Sequence, residues 1–198
     1  MKANPAIFRE YDIRGRAGVD FDEEFVEALG RAYGTRLQRE GIARAAVGRD
    51  CRLSSPTYHA ALKRGIRSTG VTVIDIGQCP TPLMYFAVHF LDLMGGIQVT
   101  GSHNPPDQNG FKICVGKSTI HGEEIRELGR IVEAGRFAEG QGDEEEYPII
   151  PAYIGYLGEQ FDRAGDGLRV VVDSGNGTAG PVGPPVYRNM GCTVIELY

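Results

Sequence analysis

The sequence predicts an α/β protein: a three-layer α/β/α domain with a mostly parallel mixed sheet, followed by the beginning of a second, similar α/β domain. Three observations carry this expectation. Short apolar runs alternate with amphipathic stretches from Ile7 to Gly135, the β-α-β-α-β rhythm of a layered domain. Glycine makes up 28 of 198 residues with no period of three, roughly twice its usual share, which suits many tight strand–helix turns. An acidic, glycine-rich run at Glu139–Glu146 then interrupts the rhythm before it resumes.

Taken in order, Ile7 to Gly15 reads as a strand running into a charged turn. Asp20 to Gly41 reads as a helix, with Asp20 as its cap and Glu23 three residues on. Phe25, Leu29, Ala32, Tyr33 and Leu37 form one apolar face, and Gly41 stops it. Asp20 and Asp22 have the spacing of a metal pair, but helix capping accounts for them better. Ala45 to Gly48 is a short strand. Ser54 or Ser55 caps the next helix, with Pro56 in its first turn and Gly70 at its end. The β-branched run Val71 to Ile76 is a buried strand. Pro82 to Leu93 is an apolar helix, and Gly96 to Val99 a further strand. The dipeptide Asn109-Gly110 signals a turn into the apolar run Phe111 to Val115, and Gly122 to Gly135 is helical through Ile125, Leu128, Ile131 and Val132.

The acidic run, ending in Asp143-Glu144-Glu145-Glu146, reads as a solvated linker. The expected organisation is therefore a first domain over residues 1–140, a linker over 141–150 and the start of a second domain over 151–198. That second part holds a helix from about Pro151 to Phe161 and a strand from Leu168 to Asp173. Gly175-Asn-Gly177-Thr-Ala-Gly180 follows, with Glu196 further along. Formally this is the dinucleotide-binding fingerprint. Asp173-Ser174 at the turn and Pro181, Pro184 and Pro185 at the helix start favour a structural glycine turn instead. One βαβ unit cannot cover both faces of a parallel sheet, so the sequence is expected to be a piece of something longer.

Composition excludes several classes of function. A net charge of −5 argues against general nucleic-acid binding, so any anion site must be local. Cys51, Cys79, Cys114 and Cys192 are widely spaced with no C-x-x-C pair. This argues against a zinc site or a disulfide framework and for a reducing, cytoplasmic compartment. The first residues lack the apolar segment of a secretory signal, and no apolar run approaches a membrane span, so no membrane partner is expected.

The chemistry concentrates between Gly95 and Lys112. Gly101 frees the backbone before Ser102, and Pro105 and Pro106 stiffen it after Asn104, so a hydroxyl, an imidazole and an ammonium (Ser102, His103, Lys112) share a rigid loop. Serine is a weak nucleophile unless a base, a metal or a cation activates it. Gly-Ser-His-Asn-Pro is not a hydrolase elbow, and adjacent side chains in an extended loop diverge, which argues against a Ser–His dyad. Phosphoryl transfer fits better, because it needs positioning and charge neutralisation more than covalent machinery. Arg14, Arg49, Arg52 and Lys112, all placed at or just past predicted strand ends, would supply the charge.

At these residues the chain resembles the α-D-phosphohexomutases. Thr100-Gly-Ser102-His103-Asn104-Pro105 with Asn109-Gly-Phe-Lys112 is similar to that family's phosphoserine loop. Tyr11-Asp12-Ile13-Arg14-Gly15 is similar to its N-terminal motif, and Asp173 to Gly180 resembles the opening of its second domain. The wording of the first two leans toward the phosphomannomutase/phosphoglucomutase branch. The resemblance implies an isomerase in which Ser102 carries a phosphoryl group, donates it to a mannose or glucose monophosphate and takes one back from the resulting 1,6-bisphosphate. It implies that Tyr11, Arg14, Asn104 and Lys112 line the substrate and phosphate site. Arg14 and Lys112 would neutralise the phosphoryl, with Lys112 or His103 as general acid or base. It also implies magnesium, bound in this chain only through the phosphoryl group on Ser102. The family's Asp-Gly-Asp-Gly-Asp-Arg metal motif is not in these residues, and Gly165-Asp166-Gly167 echoes it only superficially. By the same resemblance, these 198 residues hold the nucleophile but few specificity elements and are catalytically incomplete. A dinucleotide-binding domain at Gly175–Gly180 and a non-catalytic phosphate-binding module remain as alternatives.

Overall fold

The structure, a computed structural model, describes residues 4–198. Nine strands and six helices follow one another as β1 (Ile13–Arg16), α1 (Glu23–Arg39), β2 (Arg44–Arg49), α2 (Ser55–Arg67), β3 (Thr72–Gln78), α3 (Thr81–Phe90), β4 (Gly95–Val99), β5 (Gln108–Val115), β6 (Ser118–Thr119), α4 (Glu123–Ala134), β7 (Glu144–Glu146), α5 (Ile149–Gln160), β8 (Arg169–Val172), α6 (Gly183–Asn189) and β9 (Thr193–Glu196). The main sheet has the order β1-β5-β4-β2-β3-β7, with β6 appended to β5. β5 alone runs against the other strands, so the sheet is mixed but mostly parallel in direction. β8 and β9 form a separate parallel pair. Among the described residues, no helix is long and apolar enough to cross a membrane.

Alternation along the strands builds the three layers. Ala45, Val47, Val73, Ile97 and Phe111 face one way and pack with α1, α2 and α4. Ala46, Ile74, Ile76 and Cys114 face the other way, toward α3, Ile149 of α5 and Val186 of α6. α1 and α2 cross where each carries a glycine: a Cβ on Gly65 would lie 2.1 Å from the Glu27 carbonyl oxygen, and one on Gly30 2.4 Å from that of Leu62. Tyr33 of α1, fully buried, donates its hydroxyl to the Cys114 carbonyl at 2.7 Å and so pins the helix to β5.

Several boundaries differ from the sequence-based expectation, each for a local reason. The segment before β1 is not strand. Pro5–Ile7 forms a 3-10 turn capped by Asn4, and pairing with β5 begins only at Ile13. Asp20 does not cap α1, because Arg16 engages it through both backbone and guanidinium. Asp22 caps instead, accepting from the Phe25 N–H at 2.9 Å. Neither Ser54 nor Ser55 caps α2 with its side chain; both hydroxyls are turned to Asn109. Asn109 and Gly110 do not form a turn either, since they lie buried inside β5 opposite Gly15 and Arg14. The acidic run stays exposed, yet Glu144–Glu146 pairs with β3 as an edge strand, held by Lys63, Arg67 and Arg44.

Lys63 also belongs to an ionic cluster around Asp75, away from the serine loop. Asp75 of β3 accepts from Lys63 Nζ at 2.5 Å, from the Gly77 N–H at 2.8 Å, and lies 3.1 Å from His59 Nε2. Burial alone would raise the Asp75 carboxyl, but the hydrogen bonds from His59 and Lys63 outweigh it and hold it well below the ordinary carboxylate range. A depressed folded value means that this contribution is fully present above the unfolded value, near pH 4, and is lost as pH falls toward the folded one. Asp75→Asn should therefore cost about 2 kcal/mol at pH 7 and clearly less at pH 3. Urea midpoints of both proteins at the two pH values check this, and an equal loss at both would contradict it.

Candidate functional site

The serine loop leaves the carboxyl end of β4 and returns into β5, so Thr100 to Asp107 sit at the sheet edge where ligands collect in open α/β folds. Its first part is a turn closed by the Asn104 N–H donating to the Gly101 carbonyl at 3.0 Å. Ser102 is the first central residue of that turn and has φ +53°. This left-handed position favours glycine and costs a side-chain-bearing residue about 1–3 kcal/mol. The Thr100 hydroxyl accepts the Ser102 N–H at 2.9 Å. A second turn follows, with the Gln108 N–H donating to the Pro105 carbonyl at 3.1 Å. Strain of this kind persists only where the surroundings over-determine the backbone.

Those surroundings come from the neighbouring strand β2. Asp50, just past its end and 8% exposed, accepts from the Gly101 N–H at 3.0 Å, the Arg52 N–H at 3.0 Å and the Ser55 hydroxyl at 2.5 Å. The Arg52 guanidinium lies 3.4 Å from Asp50 and donates to four loop carbonyls. These are Ser102 at 3.1 Å, Asn104 at 2.6 Å, Pro105 at 2.5 Å and Gln108 at 2.9 Å. Arg52 was grouped above with the cations that would meet a ligand; the structure turns it inward to hold the loop. Arg49 likewise bonds Gln78 at 2.7 Å and the Asp50 carbonyl at 3.1 Å.

The remaining two cations form a second group. Arg14, inside β1, donates to Asp12 at 2.5 Å and to the Asn104 side chain at 2.7 Å. Lys112, inside β5, lies 3.6 Å from the same Asp12. Both thus sit within strands rather than past their ends. The Arg14 Nε is buried without a partner among the described residues. Asn104, bonded through its amide nitrogen to Gln108 at 2.6 Å, links this pair to the loop. Tyr11 is 74% exposed at the turn before β1. Ser102 and His103 are both exposed, and the Ser102 hydroxyl lies 3.2 Å from His103 Nδ1. The expected divergence of these side chains assumed an extended backbone, and the left-handed Ser102 removes that premise.

A cleft of about 600 Å³ opens beside Ser102. Asp50, Cys51 and Arg52 from the end of β2, Pro80 and Thr81 from the end of β3, and Thr100, Ser102 and Asn104 after β4 line one side. Gly177 and Thr178, from the loop after β8, line the other. The glycine-rich segment thus meets the serine loop, though not as a dinucleotide cradle. The Gly177 and Gly180 N–H groups are used within their own turns, α6 begins only at Gly183 with Pro184 and Pro185 in its first turn, and Glu196 is paired with Arg188. Sequence reasoning missed Asp50 and Thr100 as parts of the site, and gave Asn109 a turn rather than its bonds to Ser54 and Ser55. The signal for Asp50 was the Arg-Asp-x-Arg run at the end of a strand, which becomes informative only once β2 and β4 are known to be neighbours.

The family model for the phosphoglucomutase/phosphomannomutase α/β/α domain I matches residues 5–139. A phosphomannomutase/phosphoglucomutase of Pseudomonas aeruginosa is 42% identical over 193 residues, covering 98% of this chain and 42% of its own length. A phosphoglucomutase of Neisseria gonorrhoeae is 38% identical, with 97% and 42% covered. The crystal structure of a phosphoglucomutase/phosphomannomutase family protein from Burkholderia thailandensis superposes with a TM-score of 0.93 at 37% identity, over 98% of this chain and 44% of the other. The chain spans less than half the length of these relatives. With a matching domain model across most of its residues, the chain belongs to the phosphoglucomutase/phosphomannomutase family.

Proposed function

We propose that this chain supplies the phosphoryl-carrying serine of a cytoplasmic hexose phosphate mutase, which interconverts the 1- and 6-phosphates of mannose, glucose or both. The observation that carries the reading is Ser102 itself: an exposed hydroxyl in a left-handed turn, bolted from below by Asp50 and Arg52, at the mouth of a cleft large enough for a sugar phosphate. In the reaction, the bond between phosphorus and the Ser102 oxygen breaks as one forms to a sugar hydroxyl, whose proton leaves to a base. The bisphosphate then returns its other phosphoryl group to Ser102. His103, 3.2 Å from the serine oxygen, is placed to exchange a proton with it. Arg14 and Lys112 supply positive charge, Asn104 couples Arg14 to the loop, and Tyr11 offers an exposed ring at the rim. The negative net charge argues against nucleic acid as the partner, and the local cations Arg14 and Lys112 suit a small anionic sugar.

The family is generally metal-dependent. Among the described residues, no three His, Cys, Asp or Glu side chains gather closely enough to hold an ion, and the two carboxylates of the site are engaged, Asp12 by cations and Asp50 by N–H and hydroxyl donors. The residues present therefore do not make a magnesium site; a phosphoryl group on Ser102 is what they could offer one.

Incubation of the whole mutase, in magnesium, with hexose 1,6-bisphosphate, followed by intact mass and peptide mapping, tests the reading. One phosphoryl group on Ser102, absent in Ser102→Ala, is expected. Binding of glucose 1-phosphate with Ser102 never modified would instead mark a non-catalytic phosphate-binding module.

A further inference from the structure

We propose that Arg52 is a positioning residue for phosphoryl transfer at Ser102, acting by holding the loop backbone rather than by touching the phosphate. The inference rests on the function proposed above. Four carbonyls of one loop accept from a single guanidinium, and among them is that of Ser102 itself. A planar fork can satisfy four acceptors spread over seven residues; an ammonium carries its donors at one point and cannot. With its carbonyls drawn inward, the loop keeps the serine hydroxyl outward and next to His103 Nδ1.

Gly101 provides the independent observation. A Cβ built on it would lie 2.2 Å from Arg52 Nε and 2.3 Å from Cζ, so the guanidinium occupies the space that any other residue would fill. Gly101 is not among the glycines with positive φ. Alanine there meets no backbone penalty, and its effect passes through the displaced Arg52. Two substitutions on opposite sides of one contact should therefore have one consequence.

The test follows Ser102 phosphorylation by hexose 1,6-bisphosphate in the whole mutase with magnesium, together with amide exchange of the Gly101 and Asn104 N–H groups. Arg52→Lys and Gly101→Ala are each expected to lower the saturating rate by about 10²-fold, the scale of a misplaced reacting group, without moving the half-saturating bisphosphate concentration. Both should speed exchange in the loop while leaving that of β4 unchanged. The double variant should lose little more than either single one, because both break the same contact. Additive losses, unchanged loop exchange, or a loosened loop with a normal transfer rate would each overturn the positioning role. If unsubstituted protein takes no phosphoryl group on Ser102, the proposed function itself falls and the positioning role falls with it, whatever the loop exchange shows. Should Arg52→Lys fail to fold, Gly101→Ala alone still decides.

Discussion

Replacing Arg14 with alanine is expected to slow phosphoryl transfer at Ser102 by about 10²–10³-fold, the usual loss when one preorganised charge is removed from a transition state. Arg14 is 11% exposed at its side chain and fixed at both ends, to Asp12 and to Asn104, so its guanidinium needs little reorganisation as charge moves. Its Nε, buried without an acceptor among the described residues, leaves it a donor to spare. The substitution also releases Asn104 from β1 and leaves the Asp12 carboxylate with Lys112 as its cation among the described residues. Arg14→Lys keeps the charge but not the two-ended grip and should recover only part of the rate. Rates of Ser102 phosphorylation read by intact mass decide. Wild-type kinetics in Arg14→Ala would remove Arg14 from the phosphoryl site.

The largest effect on stability is expected at Asp50. Its carboxylate, nearly buried, receives two N–H groups and a hydroxyl and faces Arg52. Asp50→Ala leaves those donors without their acceptor and the guanidinium without its counter-charge, a loss of about 3–5 kcal/mol. Asp50→Asn keeps the shape but presents an amide nitrogen to at least one donor, and should cost about half as much. Urea unfolding with an unchanged slope and a lowered midpoint is the expected signature. A change below about 0.5 kcal/mol in Asp50→Ala, the range of an ordinary surface substitution, would show that the loop does not depend on this anchor.

Much of this protein was legible in its residues. The alternation of apolar runs predicted the layered α/β fold, because a parallel sheet buried on both faces must be written in short apolar strands joined by amphipathic helices. Gly101-Ser102-His103-Asn104-Pro105 marked a stiff loop because glycine and proline act on their own backbone and need no partner to do so. What failed was what depends on competition between distant or overlapping partners. Asp20 had the right type for a helix cap, but Arg16 engaged it and Asp22 took the role. Asn109-Gly110 had the right type for a turn, but pairing with β1 drew it into a strand.

The sequence by itself determined that Ser102 and His103 stand on a loop after a strand, and which nearby residue types carry charge. Only the tertiary structure decided what those residues do for one another. Placing β2 beside β4 brought Asp50 and Arg52 under a loop some 50 residues away and turned Arg52 from a candidate ligand cation into a clamp. The left-handed backbone at Ser102 brought its hydroxyl to His103, which adjacency in sequence argued against. The physical reason is common to both: local propensity acts through neighbouring backbone, whereas the direction of a long polar side chain follows whichever unsatisfied donors and acceptors the fold places within its reach.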